Sequence, residues 1–387
     1  MYASAERALS VIDRLVTGEG FLTASAAPGA DEPVGRYATL FGRDALIAAL
    51  QILPARPDIA TATVAALGSR QGRRLVPETA EEPGKIPHED WEVAPQWHRD
   101  RSWRVEPDGS LRYFGSVDST SLYLILAARL KIRDSTVTAA LHWLRSSLAA
   151  NGLITYVGHR EGGLYHQGWR DGLWDKEGSG VRWPSGAQVE GPVAVASAQA
   201  FAYHALRCHG FEAEAEQLAD AVDESFFRHG QPWPALAVDG HGRAVPTKAS
   251  EIGIMLWSDL LKPARVEPAV SALRTLMTRW GPRTISPEHA SFSPDAYHLG
   301  AVWPFECWFA WGALRRHGAT ELADRVRRGV LDAVEHLHCM PECYAAPLDG
   351  GPPFVPGRAT RLQAWTAGAV WALASGWDGR PALASGC

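Results

Sequence analysis

Apolar residues recur at i, i+3, i+4 and i+7 through about twelve stretches of this chain, the spacing that lays one stripe along a helix of 3.6 residues per turn. The stretches fall near 4–16, 42–54, 57–70, 118–131, 134–149, 190–208, 211–227, 250–260, 266–279, 298–317, 319–337 and 361–376. Alternation with period two is scarce, and 236–238 and 153–156 are the best pieces for short hairpin strands. The pattern predicts an all-α fold.

The joins between these segments alternate between short and long. Segment two runs into three between Pro54 and Pro57, and four into five at Arg133–Asp134. Six meets seven at Gly210, eight meets nine around Lys262–Pro263, and ten meets eleven at Gly318. The joins before segments two, four, six, eight, ten and twelve are long and hold most of the Pro, Gly and Trp. Long loops inside a compact fold usually carry function. Six tight hairpins with six long loops on one rim predict a toroid of helix pairs, an (α/α)6 barrel with the even-numbered segments inside. An irregular helical solenoid is the alternative arrangement. No low-complexity linker or fixed-period repeat interrupts the chain, so 1–387 reads as one domain.

Residues unlike core gather where the even-numbered segments begin. They are Phe41-Gly42-Arg43-Asp44, Gly115-Ser116-Val117-Asp118-Ser119-Thr120, Glu190-Gly191-Pro192, Ser250-Glu251, Tyr297 to Pro304, and Arg361-Leu362-Gln363-Ala364-Trp365. Asp, Ser, Thr and Glu at helix starts are first of all caps. Six such groups on one barrel face, mixed with Arg, His, Tyr and Trp, also suit the mouth of a pocket that binds a sugar.

Composition narrows the partners. The formal net charge is -5 with both signs dispersed, which argues against nucleic acid and anionic membranes. No run approaches the ~20 apolar residues of a membrane span. The first residues read as a helix and not as a signal peptide, and five cysteines are too few and odd in number for a disulfide scaffold, so a cytoplasmic protein is expected. Tryptophan, at 16 residues, is the unusual component, and indoles stack on sugar faces.

Glycosidic cleavage needs two carboxyls, one protonated to donate to the leaving oxygen and one to act as base or nucleophile. The loop HQGWRDGLWDKEGSGVRWPSG combines Asp171 and Asp175 with Trp169, Trp174 and Trp183. Indoles around a carboxyl desolvate it and favour its protonated form, which suits an acid. The loop MPECYAAPLDGGPPFVPGRATRLQAW places Glu342 before a Pro/Gly-rich stretch. Plainer readings stand beside these: Asp171 paired with Arg170 or another arginine, and Glu342 a surface loop residue.

Several runs, in order, look like a known family: GRYATLFGRDALIAALQIL, EEPGKIPHE, FGSVDSTSLYL, YHQGWRDGLWD, VEGPVAVASAQAFAYHAL, GPRTISPE, YHLGAVWPFE, and PECY with RLQAW. Together, from about 35 to 375, they resemble bacterial amylo-α-1,6-glucosidase-type proteins, which are similar to the glucosidase half of glycogen debranching enzymes. More distantly they resemble the trehalase, glucoamylase and mannosylglycerate-hydrolase group of (α/α)6 glycosidases. The resemblance implies inverting hydrolysis of an α-glucoside without a cofactor. Asp171 matches the general acid and Glu342 the residue that activates water, with Glu306 as the competing base. Arg43 and Asp44 match the pair that grips the terminal sugar, and Gln167, Trp169, Tyr297, His298 and Trp303 would line the same subsite. Phe41, Glu89, Asp118, Glu190, Glu306, Gln363 and Trp365 are expected at the sugar too.

The chain departs from that pattern in places. Ser250-Glu251-Ile252-Gly253-Ile254 stands where an Asn and a His are usual, Cys343 and Tyr344 replace an apolar pair, and an N-terminal β-sandwich is missing. These departures leave a small glycoside, such as mannosylglycerate, glucosylglycerate or a trehalose-like disaccharide, as an alternative substrate. A zinc site at His336, His338, Cys339 and Cys343 is a rival reading, although it lacks paired Cys-x2-Cys spacing. A non-catalytic carbohydrate-binding protein is another, and it leaves the two carboxylate loops unexplained. Phosphorolysis is a third, opposed by a glutamate in the base position.

Overall fold

The computed structural model describes residues 3–29, 36–149, 152–174 and 179–380. The described helices are α1 (Ala3–Leu15), α2 (Gly42–Ile52), α3 (Pro57–Ser69), α4 (Gln96–Arg99), α5 (Ser119–Arg129), α6 (Ser135–Ala149), α7 (Ala196–Cys208), α8 (Glu212–Phe226), α9 (Glu251–Ser258), α10 (Pro263–Thr275), α11 (Pro304–Arg316), α12 (Thr320–Leu337) and α13 (Ala364–Ser375). All but the single turn α4 fall on the twelve segments predicted from periodicity.

Helices α2, α5, α7, α9, α11 and α13 touch in that order, and α13 returns to α2. Each of α3, α6, α8, α10 and α12 packs outside the ring helix that precedes it, and α1 packs outside α13. The fold is therefore an (α/α)6 toroid with the even-numbered segments inside, and the closed ring rules out an open solenoid. The loop count needs one correction. Five of the six pairs are tight hairpins, whereas α1 and α13 pair across the whole chain.

Burial explains the two classes of helix. The ring helices are enclosed on all sides, so every residue of α2 and of α9 is buried. The outer helices face water on one side. In α12 the buried positions Leu322, Ala323, Val326, Gly329, Val330, Ala333 and Val334 form one stripe, and the charged residues take the other face. Proline opens α3, α10 and α11, where its missing N–H would have had no helical partner.

Two expected starts move, each for a local reason. The tenth segment becomes helical only at Pro304, because a proline pushes the residue before it out of the helical region, and Trp303 is extended at φ -112 and ψ 113. Just upstream, Gly300 sits at φ 155 with the Ser293 carbonyl oxygen 1.9 Å from where a Cβ would be, so only glycine fits. The sixth segment begins at Ala196 because Ala194–Val195 pairs as a strand.

The short strands all lie in the long loops. Leu40–Phe41 (β1), Glu89–Trp91 (β2) and Leu111–Tyr113 (β3) form an antiparallel sheet in the order β1-β2-β3, with Phe41 opposite Glu89 and Glu89 opposite Tyr113. Ala194–Val195 (β4), Ala237–Val238 (β5) and Ala244–Val245 (β6) form a second sheet, and Met277–Thr278 (β7) pairs with Gly281–Pro282 (β8). The expected strand at 236–238 is β5. The piece at 153–156 keeps only one bridge, from Tyr156 to Val193. Around the first sheet, Phe41, Trp91, Trp103, Leu111, Tyr113 and Leu164 form a small apolar cluster apart from the main core. This cluster is one wall of the cavity described next.

Candidate active site

The ring helices begin on the face built by the long loops, and a cavity of about 790 Å³ opens there. Asp171 and Glu342 both line it, with Phe41, Arg43, Asp44, Glu89, Trp169, Tyr297, His298, Trp303 and Trp365 from the sequence reading. Few of the polar groups at the helix starts are caps; Ser116 is one, its Oγ accepting from the Ser119 N–H at 3.2 Å. Phe41, Asp118, Val195, Ser250, Trp303 and Gln363 occupy the N-cap positions of the ring helices, and none makes a side-chain capping bond. Their side chains are free for other work.

Arg43, 1% exposed on the first turn of α2, organises the acid side. Its Nε donates to both Asp118 oxygens at 2.9 Å, its Nη1 to Asp171 Oδ2 at 2.9 Å, and its Nη2 to the Gln167 carbonyl at 3.5 Å. Burial works against the guanidinium charge, but Asp118 and Asp171 outweigh it and keep Arg43 charged. Burial pushes the Asp171 carboxyl up to about 6, further than Arg43 pulls it down, and the nearby Asp118 and Glu89 add to the rise. Asp171 thus remains able to hold a proton while touching a cation. Arg170 does not pair with Asp171. It is buried on Glu251, donating Nε to Oε1 and Nη2 to Oε2, the latter at 2.8 Å, with further bonds to Ser250 Oγ and the Thr284 and His298 carbonyls.

Glu342 is 3% exposed and accepts from the Tyr297 hydroxyl on Oε1 and from the Thr360 N–H at 3.3 Å on Oε2. Burial pushes its carboxyl up to about 7; the two donors oppose the rise and Asp171 adds to it. It is not a surface residue. Asp44 is held by Gln363, whose Nε2 donates to Oδ1 at 2.9 Å, and burial raises its carboxyl well above the usual range. The apolar wall is a set of edge-on rings. Trp303 lies 5.3 Å from Trp169 and 5.7 Å from Trp365, and its indole N–H donates to the Tyr297 carbonyl at 2.7 Å. The Trp365 Nε1 is buried and has no partner among the described residues.

Comparison with solved structures gives full-length likenesses at low identity. A GH63 mannosylglycerate hydrolase from Thermus thermophilus, in complex with glucose, superposes with a TM-score of 0.66 at 14% identity over 97% of this chain and 100% of the other. The structure of that enzyme with Tris and D-glycerate gives 0.67 at 16%, over 96% and 99%. An uncharacterized conserved protein from the same organism gives 0.68 at 16%, over 97% and 100%. Residues 193–366 match the family model described as the mannosylglycerate hydrolase MGH1-like glycoside hydrolase domain. These likenesses share the (α/α)6 toroid described above. A comparison with curated protein sequences finds no match.

Within this toroid, several sequence-predicted residues take other places. Glu190 points outward, with 63% of its side chain exposed and Arg160 at 3.9 Å, because the chain before β4 runs along the outer edge of the second sheet. The Gln167 side chain turns away from the cavity, donating to the Val157 carbonyl at 3.3 Å and lining a separate cavity of about 400 Å³. Asp118 and Gln363 lie behind the wall, bonded to Arg43 and Asp44. Glu306 lies beneath it, 2% exposed and accepting from the Ser250 hydroxyl, and burial beside Glu251 holds its carboxyl well above the usual range. Glu306 is not among the residues that line the cavity. Asp175 lies outside the described residues. His336, His338, Cys339 and Cys343 are not gathered into a metal-holding group.

Other lining residues escaped the sequence reading, among them Arg36, Tyr37, His88, Trp97, Arg101 and Arg358. His88 directly precedes Glu89 in a run already singled out, so the missing signal was the strand that aims it. Its N–H donates to the Tyr113 carbonyl at 2.8 Å, and its carbonyl accepts from Gly42 at 2.7 Å. A Cβ on Gly42 would lie 2.2 Å from the Pro87 carbonyl oxygen, so glycine at that position lets the strand approach α2.

Proposed function

We propose that this chain is an inverting glycoside hydrolase that removes a terminal sugar from an α-glucoside or small oligosaccharide, with Asp171 as acid and Glu342 as base. The observation that carries the reading is two carboxyls of raised proton affinity, Glu342 buried and Asp171 partly exposed, facing one cavity of a size that suits a small ligand. In this mechanism Glu342 takes a proton from water as the water oxygen bonds the anomeric carbon. The bond from that carbon to the leaving oxygen breaks, and Asp171 gives that oxygen its proton. The Tyr297 hydroxyl and the Thr360 N–H hold Glu342 as an acceptor. Asp44, which lines the cavity, supplies a carboxyl oxygen to sugar hydroxyls. The family match at 193–366 supports the reaction class.

One observation favours a second substrate reading. Arg36, Arg101 and Arg358 all line the cavity, and guanidinium groups suit a carboxylate on the leaving group. Such an aglycone would be glycerate, as the names of the Thermus thermophilus relatives indicate for that enzyme.

A panel of isomaltose, panose, trehalose, glucosylglycerate and mannosylglycerate, followed by proton NMR, separates these readings. Initial release of the β-anomer from an α-glycoside is expected. Initial release of the α-anomer would remove Glu342 from the base role, and no hydrolysis of any member would reject the reading. Asp171→Asn and Glu342→Gln are each expected to lower kcat by at least about a hundredfold while leaving sugar binding intact.

A further inference from the structure

His88 is 4% exposed, lines the cavity beside Asp171, and has no partner on Nδ1 among the described residues. Its Nε2 lies 3.6 Å from Asp171 Oδ2. The ring is held edge-on by Phe41 at 5.5 Å and Tyr113 at 6.4 Å, and both backbone polar groups are bonded, so it has one orientation. Burial and the Arg43 charge keep it neutral, and it therefore carries a single ring proton. On Nδ1 that proton would leave the Nε2 lone pair facing a carboxylate oxygen. On Nε2 it points at Oδ2.

Arg43 Nη1 donates to the same Oδ2 at 2.9 Å, whereas Oδ1 has no hydrogen-bond partner among the described residues. An oxygen facing two donors is a poor site for a third proton. We propose that His88 is a positioning residue which, together with Arg43, claims Asp171 Oδ2 and leaves Oδ1 as the oxygen that carries the acid proton to the leaving group. The proposal rests on Asp171 acting as the acid. The contact at 3.6 Å is longer than a hydrogen bond and is expected to shorten into one when substrate fills the cavity, as catalytic contacts in empty sites commonly do. The other charged or titratable groups around Asp171 are Arg43 and Asp44 on α2, Glu89 on β2, Tyr113 on β3, Asp118 before α5, and Tyr37, Tyr156 and Glu342 from three further loops. None of them donates to Oδ1.

The test uses the full chain with His88→Phe, His88→Gln and His88→Asn. Gln places an amide near the Nε2 position and Asn near Nδ1. Each variant is assayed on isomaltose and on α-glucosyl fluoride, whose leaving group needs little protonation. Phe and Asn are expected to lower kcat on isomaltose by about tenfold or more with KM little changed, and to leave fluoride hydrolysis within about threefold. Removing a donor raises the affinity of Asp171 for its proton, so the limb of their pH profile near pH 6 moves up. Gln restores both properties. Equal losses on the two substrates, an unmoved limb, or Asn behaving like Gln would overturn the proposal, and the Asn/Gln contrast remains if the Phe variant fails to fold. A second arm reads the ring directly by 15N NMR. His88 is expected as the neutral Nε2–H tautomer whose resonance follows the titration of Asp171 and stops following it in Asp171→Asn. The Nδ1–H tautomer would overturn the proposal whatever the enzyme hydrolyses. A wild type inactive on both substrates would instead count against the glycosidase reading.

Discussion

Burying the Glu342 carboxyl costs stability once it ionises. Its carboxyl rises from an ordinary 4.5 to about 7 in the folded chain, so the folded state binds this proton more tightly than the unfolded state does. The stabilisation that results is complete below about pH 4.5 and is lost as the pH rises toward 7, where a buried charge replaces the neutral acid. Glutamine carries no such charge and can still accept from Tyr297. Glu342→Gln is therefore expected to stabilise the protein at pH 8 by on the order of 2–3 kcal/mol, a gain of a few degrees in Tm. The gain should vanish near pH 4.5. Thermal melts of both proteins at the two pH values check this, and an equal shift at both would show that Glu342 ionises as an ordinary carboxyl.

At the scale of elements, Arg170 ties together four stretches that are distant in sequence. Its own loop, the start of α9 at Ser250 and Glu251, the strand exit at Thr284 and the turn at His298 all meet on one guanidinium. The Trp169 indole adds a bond at 3.0 Å to Glu251 Oε1. Ser250-Glu251, which departs from the family pattern, thus supports the loop that presents Asp171. Removing one member of a buried pair leaves the other charge unpaired. Arg170→Met is expected to cost about 3–5 kcal/mol, and adding Glu251→Gln should recover more than half of that. Urea unfolding of the two single variants and the double variant tests the coupling; additive losses would mean that the two side chains act separately.

At the scale of the whole molecule, the ring is closed by the pairing of α1 with α13. Ala5, Ala8, Ile12 and Leu15 on α1 are at most 2% exposed, although α1 is far from α13 in sequence. Deleting residues 3–15 would bare the outer side of α13, which the ring needs covered, since α13 is buried from Ala364 to Ala374. A loss of soluble protein or a fall in Tm of more than about 10 °C is expected. A short Gly/Ser insertion at Gly210, a positive-φ turn with open space around it, should change Tm by less than about 3 °C. A deletion variant that melts with the wild type would show that α1 does not seal the ring.

Helix number, helix order and the division into inner and outer rows were all legible in the sequence. They follow from local periodicity and join length, which neighbouring residues determine between them. Phe41, Arg43, Asp44, Trp169, Asp171 and Glu342 were legible as cavity residues because they sit in loops or at helix starts where nothing apolar would place them. Only the tertiary structure decided how such residues differ from their neighbours. Arg170 and Asp171 are adjacent, yet one is buried on Glu251 and the other faces the cavity. Glu306 and Glu342 are both buried acids, but only Glu342 reaches the cavity, and His88 acquires its place beside Asp171 through a strand from another loop. Direction and partnership depend on contacts between residues far apart in the chain, and periodicity carries no record of those.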